Sequence, residues 1–335
     1  MKKTIFISVL ALAAAISCTK SDIVDTKFEK EAIGFENYLG RDAQTKGDNA
    51  SVSSIASAGG IGIYGYYTGD PANGGWEEGM AANLLQNERL TSTDNGVNWT
   101  YTNKAYWTNN SDEYTFFAYA PFGKATASQP SGQNPQITYT LPETLTNQVD
   151  LVYSKNNTDI TKRTTVALEF QHALARLSVT ANAAAYADGL TFTVTDIAIS
   201  GPFNTVGTFD LAKGVWTSKT TPATKPYDLT ATTGQLLTTT AYNFSENEKN
   251  YMMMIPTEFS ATNKATLTVT YTMTYKGKVS KPVSKNVEIT TSFEQGKAYT
   301  INLTFQRDET NAITFNVTSV GGWETGSTQT PTING

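Results

Sequence analysis

Of 335 residues only 16% are charged, 30 acidic against 25 basic, with a single cysteine and a single histidine. The acidic balance argues against a nucleic-acid partner. One cysteine cannot build a disulfide framework, and a zinc site would have only carboxylates to set beside the lone His172. Seventeen Tyr and fifteen Phe, among many Thr and Val, are the material of strands.

At the start of the chain Lys2 and Lys3 precede the apolar run Thr4 to Ile16 and the small-residue end Ser17-Cys18. That order of charged, apolar and small residues reads as a secretory signal over residues 1–17, too short to span a bilayer comfortably. Ala15-Ile16-Ser17-Cys18 resembles a bacterial lipobox, with Ala15 where Leu is usual, so Cys18 is expected to become the acylated first residue after cleavage. Several acyl chains anchor a protein firmly where one holds it only marginally. No later segment approaches a transmembrane helix.

"AIGFENYLGRDAQTKG" (32–47) begins as a strand, with Ile33 and Phe35 two apart, and passes into a polar stretch holding Arg41 and Lys46. Two readings are open: an ordinary first strand, or a strand placed to be cut off. Period-two alternation then recurs at 60–68, 113–121, 165–170, 175–181, 190–200, 265–275, 285–293, 298–305 and 312–320. Short strands separated by Gly, Pro and Asn turns predict an all-β chain of antiparallel sandwiches, and its length favours two domains. "MAANLLQNERL" (80–90) reads equally as a short surface helix or an extended loop. "GKATASQPSGQNPQ" (123–136) and "SKTTPATKP" (218–226) read as exposed loops.

Chemistry is sparse. No GxSxG accompanies His172, and a half-buried strand histidine is the favoured reading over a catalytic one. Glu77 with Glu78, or Asp112 with Glu113, could flank a sugar ring, but adjacent carboxylates on a strand point to opposite faces and read better as solvated charges. "STDNGVN" (92–98) and "TNNSDEY" (108–114) lack EF-hand spacing, so no metal site and no cofactor is expected. Trp76, Trp99, Tyr101, Tyr106 and Trp107 could stack on glycan rings; core filling is the favoured reading.

Together "WTYTNKAYWTNNSDEYTFFAYAP" (99–121), "VALEFQHALARLSV" (166–179) and "FEQGKAYTINLTF" (293–305), following the lipoprotein signal, the "IGF" strand and "TKG", resemble the fimbrillin family of Bacteroidales, the type V pilins. The resemblance runs from Cys18 to about Trp323. It implies two transthyretin-like β-sandwich domains, 42–168 and 169–335, with a boundary between Arg163 and Ala173, behind a lipidated prosegment over 18–41. It also implies a fimbrial subunit exported to the outer membrane, where a trypsin-like or Arg-specific protease removes the prosegment. Cleavage is expected after Arg41 or Lys46. A strand from another pilin subunit would then fill the gap left by Ile33 and Phe35, and "AITFNVTSV" has the required form, with Ile313, Phe315 and Val317 on one face; the other open reading is that this tail pairs within its own domain. The alternative is a surface glycan-binding lipoprotein, and an enzyme, as a glycosidase, comes third.

Overall fold

The computed structural model describes residues 31–39, 52–108, 111–160, 165–220, 224–230, 234–247 and 251–307. They belong to one compact unit that begins at Glu31. In chain order the first strands are β1 (Phe35–Leu39), β2 (Ile61–Gly69), β3 (Leu85–Leu90), β4 (Glu113–Ala120), β5 (Thr126–Ser128), β6 (Gln136–Thr140), β7 (Val152–Ile160), β8 (Val166–His172) and β9 (Ala175–Ala183). There follow β10 (Thr191–Gly201), β11 (Val206–Asp210), β12 (Val215–Thr220), β13 (Lys225–Asp228), β14 (Gln235–Leu236), β15 (Tyr242–Asn243), β16 (Met252–Met254), β17 (Ala265–Tyr275), β18 (Lys278–Val279), β19 (Val283–Ile289) and β20 (Ala298–Phe305). Helix among the described residues is confined to α1 (Val52–Ala58), the four-residue α2 (Phe244–Asn247) and two single 3-10 turns. The fold is an all-β sandwich.

The first sheet runs β1-β8-β7-β4-β2-β3. Alternation sends its residues into two cores. Ile61, Ile63, Phe116, Ala118, Val166, Leu168 and Phe170 enter a smaller core, while Tyr64, Tyr66, Phe117 and Tyr119 enter a larger one. A strand covered on both faces has no solvent side to keep polar, which is why "GIGIYGYY" and "EYTFFAYA" are apolar almost throughout. The larger core is shared with the sheet β12-β11-β6-β5 and with the sheets built on β10–β17 and β9–β20. Phe192 of β10 and Tyr271 of β17 meet Phe305 of β20 at ring distances of 5.7 and 5.3 Å, which locks two layers together.

Gly62 makes the first sheet possible. It lies opposite Tyr119 in the β2–β4 ladder, and a Cβ there would fall 2.2 Å from Tyr119 Cε1. The ring is fully buried and its hydroxyl donates to Asn87 Oδ1 at 3.0 Å, so it has nowhere to go. Gly62→Ala is expected to lower the unfolding free energy by roughly 3 kcal/mol, the upper part of the overpacking range, read as a fall in the urea midpoint.

Eight of the expected strands are present, and the ninth, 312–320, lies outside the described residues. Four expectations are corrected. Residues 85–90 form a strand, neither helix nor loop: Leu85 and Leu90 are both buried although an odd number of residues apart, because a bulge at Asn87 (φ 48°) resets the alternation. The loop expected at 123–136 contains β5, recruited by β6, and the loop expected at 218–226 contains the end of β12 and the start of β13. The pairing is not wholly antiparallel either, since β1 runs parallel to β8 and β20 parallel to β9. A strand's neighbour is chosen by the fold's return path, which local pattern does not encode.

Candidate functional site

β1 stands at the end of its sheet, in parallel register with β8, Phe35 beside Val166 and Leu39 beside Phe170. Ile33 and Phe35 are 1% and 5% exposed, and both lie in the smaller core, while Glu36 between the ladder partners faces solvent. The Phe35 ring meets Tyr101 and Phe116 edge-on, at 5.6 and 5.3 Å. Each side chain contributes about 1.5–3 kcal/mol by burial.

The backbone ahead of β1 is gripped from two sides. Trp107 N donates to Glu31 O (3.0 Å) and Ile33 N donates to Ala105 O (2.9 Å), while on the other side Val166 N donates to Gly34 O (2.9 Å). Tyr101 OH donates to Ile33 O at 2.8 Å, and Lys104 Nζ sits 4.2 Å from the centre of the same ring. Burial pushes the Tyr101 phenol up, so it stays a neutral donor. Loop 99–108 is therefore a latch over the first strand. The sequence marks Trp99, Tyr101, Tyr106 and Trp107 as an aromatic group without placing them against the first strand, although the buried Tyr101, Ala105 and Trp107 are spaced by even numbers. An empty β1 position would be a groove with Tyr101 and Phe116 at its base and the unpaired edge of β8 along its side.

Cys18, Arg41, Lys46, Ile313, Phe315 and Val317 lie outside the described residues. His172 ends β8, buried, with Nδ1 at 3.0 and 2.9 Å from the two carboxylate oxygens of buried Asp150. This is a satisfied interior histidine. Asp112 accepts from Tyr67 OH (2.7 Å) and Thr108 Oγ1, and Glu78 pairs with Lys213 (2.9 Å). In "STDNGVN" the Asp94 carboxylate is taken up by Ser92 Oγ and by the backbone and side-chain nitrogens of Asn98, bonds that hold it at about 2. Among the described residues no three His, Cys, Asp or Glu side chains gather as a metal site. The aromatic group is mostly interior: Tyr101 and Trp107 are buried, Trp76 packs on Phe117 at 4.8 Å, and only Tyr106 is largely exposed.

The chain is thus an all-β sandwich whose first strand closes a sheet edge, and residues 49–323 match the fimbrillin-like family. The chain belongs to that family. It is similar to the fimbrium subunit Fim1C of Phocaeicola vulgatus, 29% identical over 192 residues, which are 51% of this chain and 48% of that protein. The chain thus spans about half the length of the curated relative it matches. Its fold is similar to that of a fimbrial protein from Bacteroides vulgatus, with a TM-score of 0.69 and 22% identity over 88% of this chain and 99% of that one. A candidate cell adhesion protein from Bacteroides ovatus shares the fold more loosely, with a TM-score of 0.53 and 14% identity over 89% and 99% of the two chains.

Proposed function

We propose that this chain is the precursor of a structural subunit of a surface fimbria, assembled with other pilin subunits by protease-triggered strand exchange. The observation that carries the reading is β1: an edge strand plugged into the core by Ile33 and Phe35, with Arg41 and Lys46 shortly after it in sequence. A trypsin-like or Arg-specific protease cutting there would free the strand and open an apolar groove with an unpaired ladder, which accepts a replacement strand.

The sequence also holds a replacement. Ala312-Ile313-Thr314-Phe315 repeats Ala32-Ile33-Gly34-Phe35 with one change. The position tolerates a side chain at its first atom, because Gly34 is not in the left-handed region and a Cβ there comes no closer than 3.6 Å to any neighbour outside its adjoining residues. Ile313 and Phe315 would then refill the sites of Ile33 and Phe35, with Val317 next along the same face. Acylated Cys18 would hold the precursor at the outer membrane, and the fimbria would serve adhesion at the cell surface. The two-domain division at 168/169 belongs to the same proposal. A core confined to residues 33–170 supports it, and the β6–β11 pairing is the junction it must accommodate.

Deleting residues 312–335 tests the reading: the variant should still be cut by trypsin and should form no polymer. A polymer of parental length would contradict it. Cys18→Ala should leave the protein outside the detergent phase. The glycan-binding alternative rested on aromatics that are mostly committed to the core.

A further inference from the structure

A second feature lies away from the assembly groove. Three segments, 78–79, 132–136 and 210–217, the last two running into β6, β11 and β12, line an open cleft of about 410 Å³, within the size range of small-molecule sites. Its base is built from buried polar side chains. Asn134 and Asp210 are only 7% and 8% exposed. Asn134 Nδ2 donates to Asp210 Oδ2 (2.9 Å), and Asn134 Oδ1 accepts from Gly79 N (2.9 Å). Asp210 Oδ1 accepts from Ala212 N and Lys213 N, at 3.0 and 2.9 Å. The loops meet so closely that a Cβ on Gly79, at φ 81°, would fall 2.7 Å from Gly132 O. The walls are thereby fixed before any ligand arrives.

The chemistry left over in the cleft is mixed. Asp210 Oδ2 takes one hydrogen bond and retains acceptor capacity. Gln133 Oε1 accepts from Gln136 Nε2 at 3.3 Å, leaving the Gln133 amide nitrogen to donate. Glu78 and Lys213 pair across the mouth at 2.9 Å and keep a carboxylate oxygen and ammonium protons for another partner. The Lys213 ammonium is already paired with Glu78 and the Asp210 carboxylate is already held by amides, so what the cleft offers a newcomer is donors and acceptors side by side. Adjacent hydroxyls of a sugar, which both donate and accept, match such a mixed set.

We propose that this cleft is a binding site for a neutral glycan of one or two sugar units, carried on the flank of the subunit and independent of strand exchange. Glu78, Gln133 and Lys213 contact the hydroxyls, and Asp210 with Asn134 holds them in place. The site gives "GGWEEG" a role that the assembly groove does not.

Saturation-transfer NMR on the purified protein, with glucose, galactose, mannose, N-acetylglucosamine, lactose and cellobiose as probes up to about 10 mM, tests it at concentrations that register millimolar dissociation constants. At least one probe should bind. Glu78→Ala with Gln133→Ala, both on exposed side chains, should weaken it roughly tenfold or more, one lost hydrogen bond to a charged group being sufficient. Glu143→Ala, outside the cleft, should not. Trypsin-induced polymer formation should be unaltered in the double variant, which separates this site from the groove. Absence of binding by every probe, or binding undiminished in the double variant, would overturn the proposal.

Discussion

Limited trypsin digestion of the purified precursor is expected to release an N-terminal fragment ending at Arg41 or Lys46 and to convert monomer into a detergent-resistant ladder. The physical reason is tethering. While β1 is part of the same chain, its high effective concentration keeps the groove filled, and a free donor strand cannot compete. Cleavage makes β1 an ordinary ligand held by two buried side chains and a handful of backbone hydrogen bonds, and each dissociation gives a neighbour's strand its chance. Arg41→Ala with Lys46→Ala should abolish both fragment and ladder. A ladder of parental intensity from that variant, without cleavage, would mean that the assembly trigger lies elsewhere.

Phe35→Ala is expected to destabilise the precursor by about 3–5 kcal/mol, the range for truncating a core phenylalanine. The ring fills the space between Tyr101 and Phe116, and loop 99–108 is stretched over the strand it belongs to, so local collapse cannot easily close the gap. The loss should appear as a lower urea midpoint. It should then vanish on digestion, because a subunit beginning after Arg41 no longer contains residue 35. Filaments from variant and parent should be indistinguishable in thermal stability. If the mature filaments differ, Phe35 remains in the assembled subunit and β1 is a permanent strand.

Much of this architecture was legible because burial on one face of a strand imposes period two, and the long strands β10, β17 and β20 obey it almost residue for residue. β7 was not legible, since "VYSKNNTDI" carries a polar, charged run where its partners, not its side chains, decide its conformation. β3 was obscured by the bulge at Asn87, which breaks the alternation midway. Of the candidate groove, the inward pair Ile33 and Phe35 was readable from spacing alone. Its floor and latch were not, because Tyr101, Phe116 and Val166 come together only through long-range pairing. The polar cleft was still less accessible: Glu78 reads as half of an adjacent acidic pair, whereas its partner Lys213 and the Asn134–Asp210 pair at the base come from segments far along the chain.

The central claim is that β1 leaves its position beside β8 when the subunit assembles, and a disulfide staple tests it most directly. A Cβ on Gly34 would lie 4.0 Å from Thr165 Cβ, within the range a disulfide spans, and the native Cys18 can be replaced by Ala. Oxidised Gly34→Cys, Thr165→Cys protein should be cut by trypsin yet remain monomeric, with the fragment covalently held, and reduction should release the fragment and restore the ladder. A ladder that grows while the staple is intact would show that assembly proceeds with the first strand in place, and would contradict the mechanism.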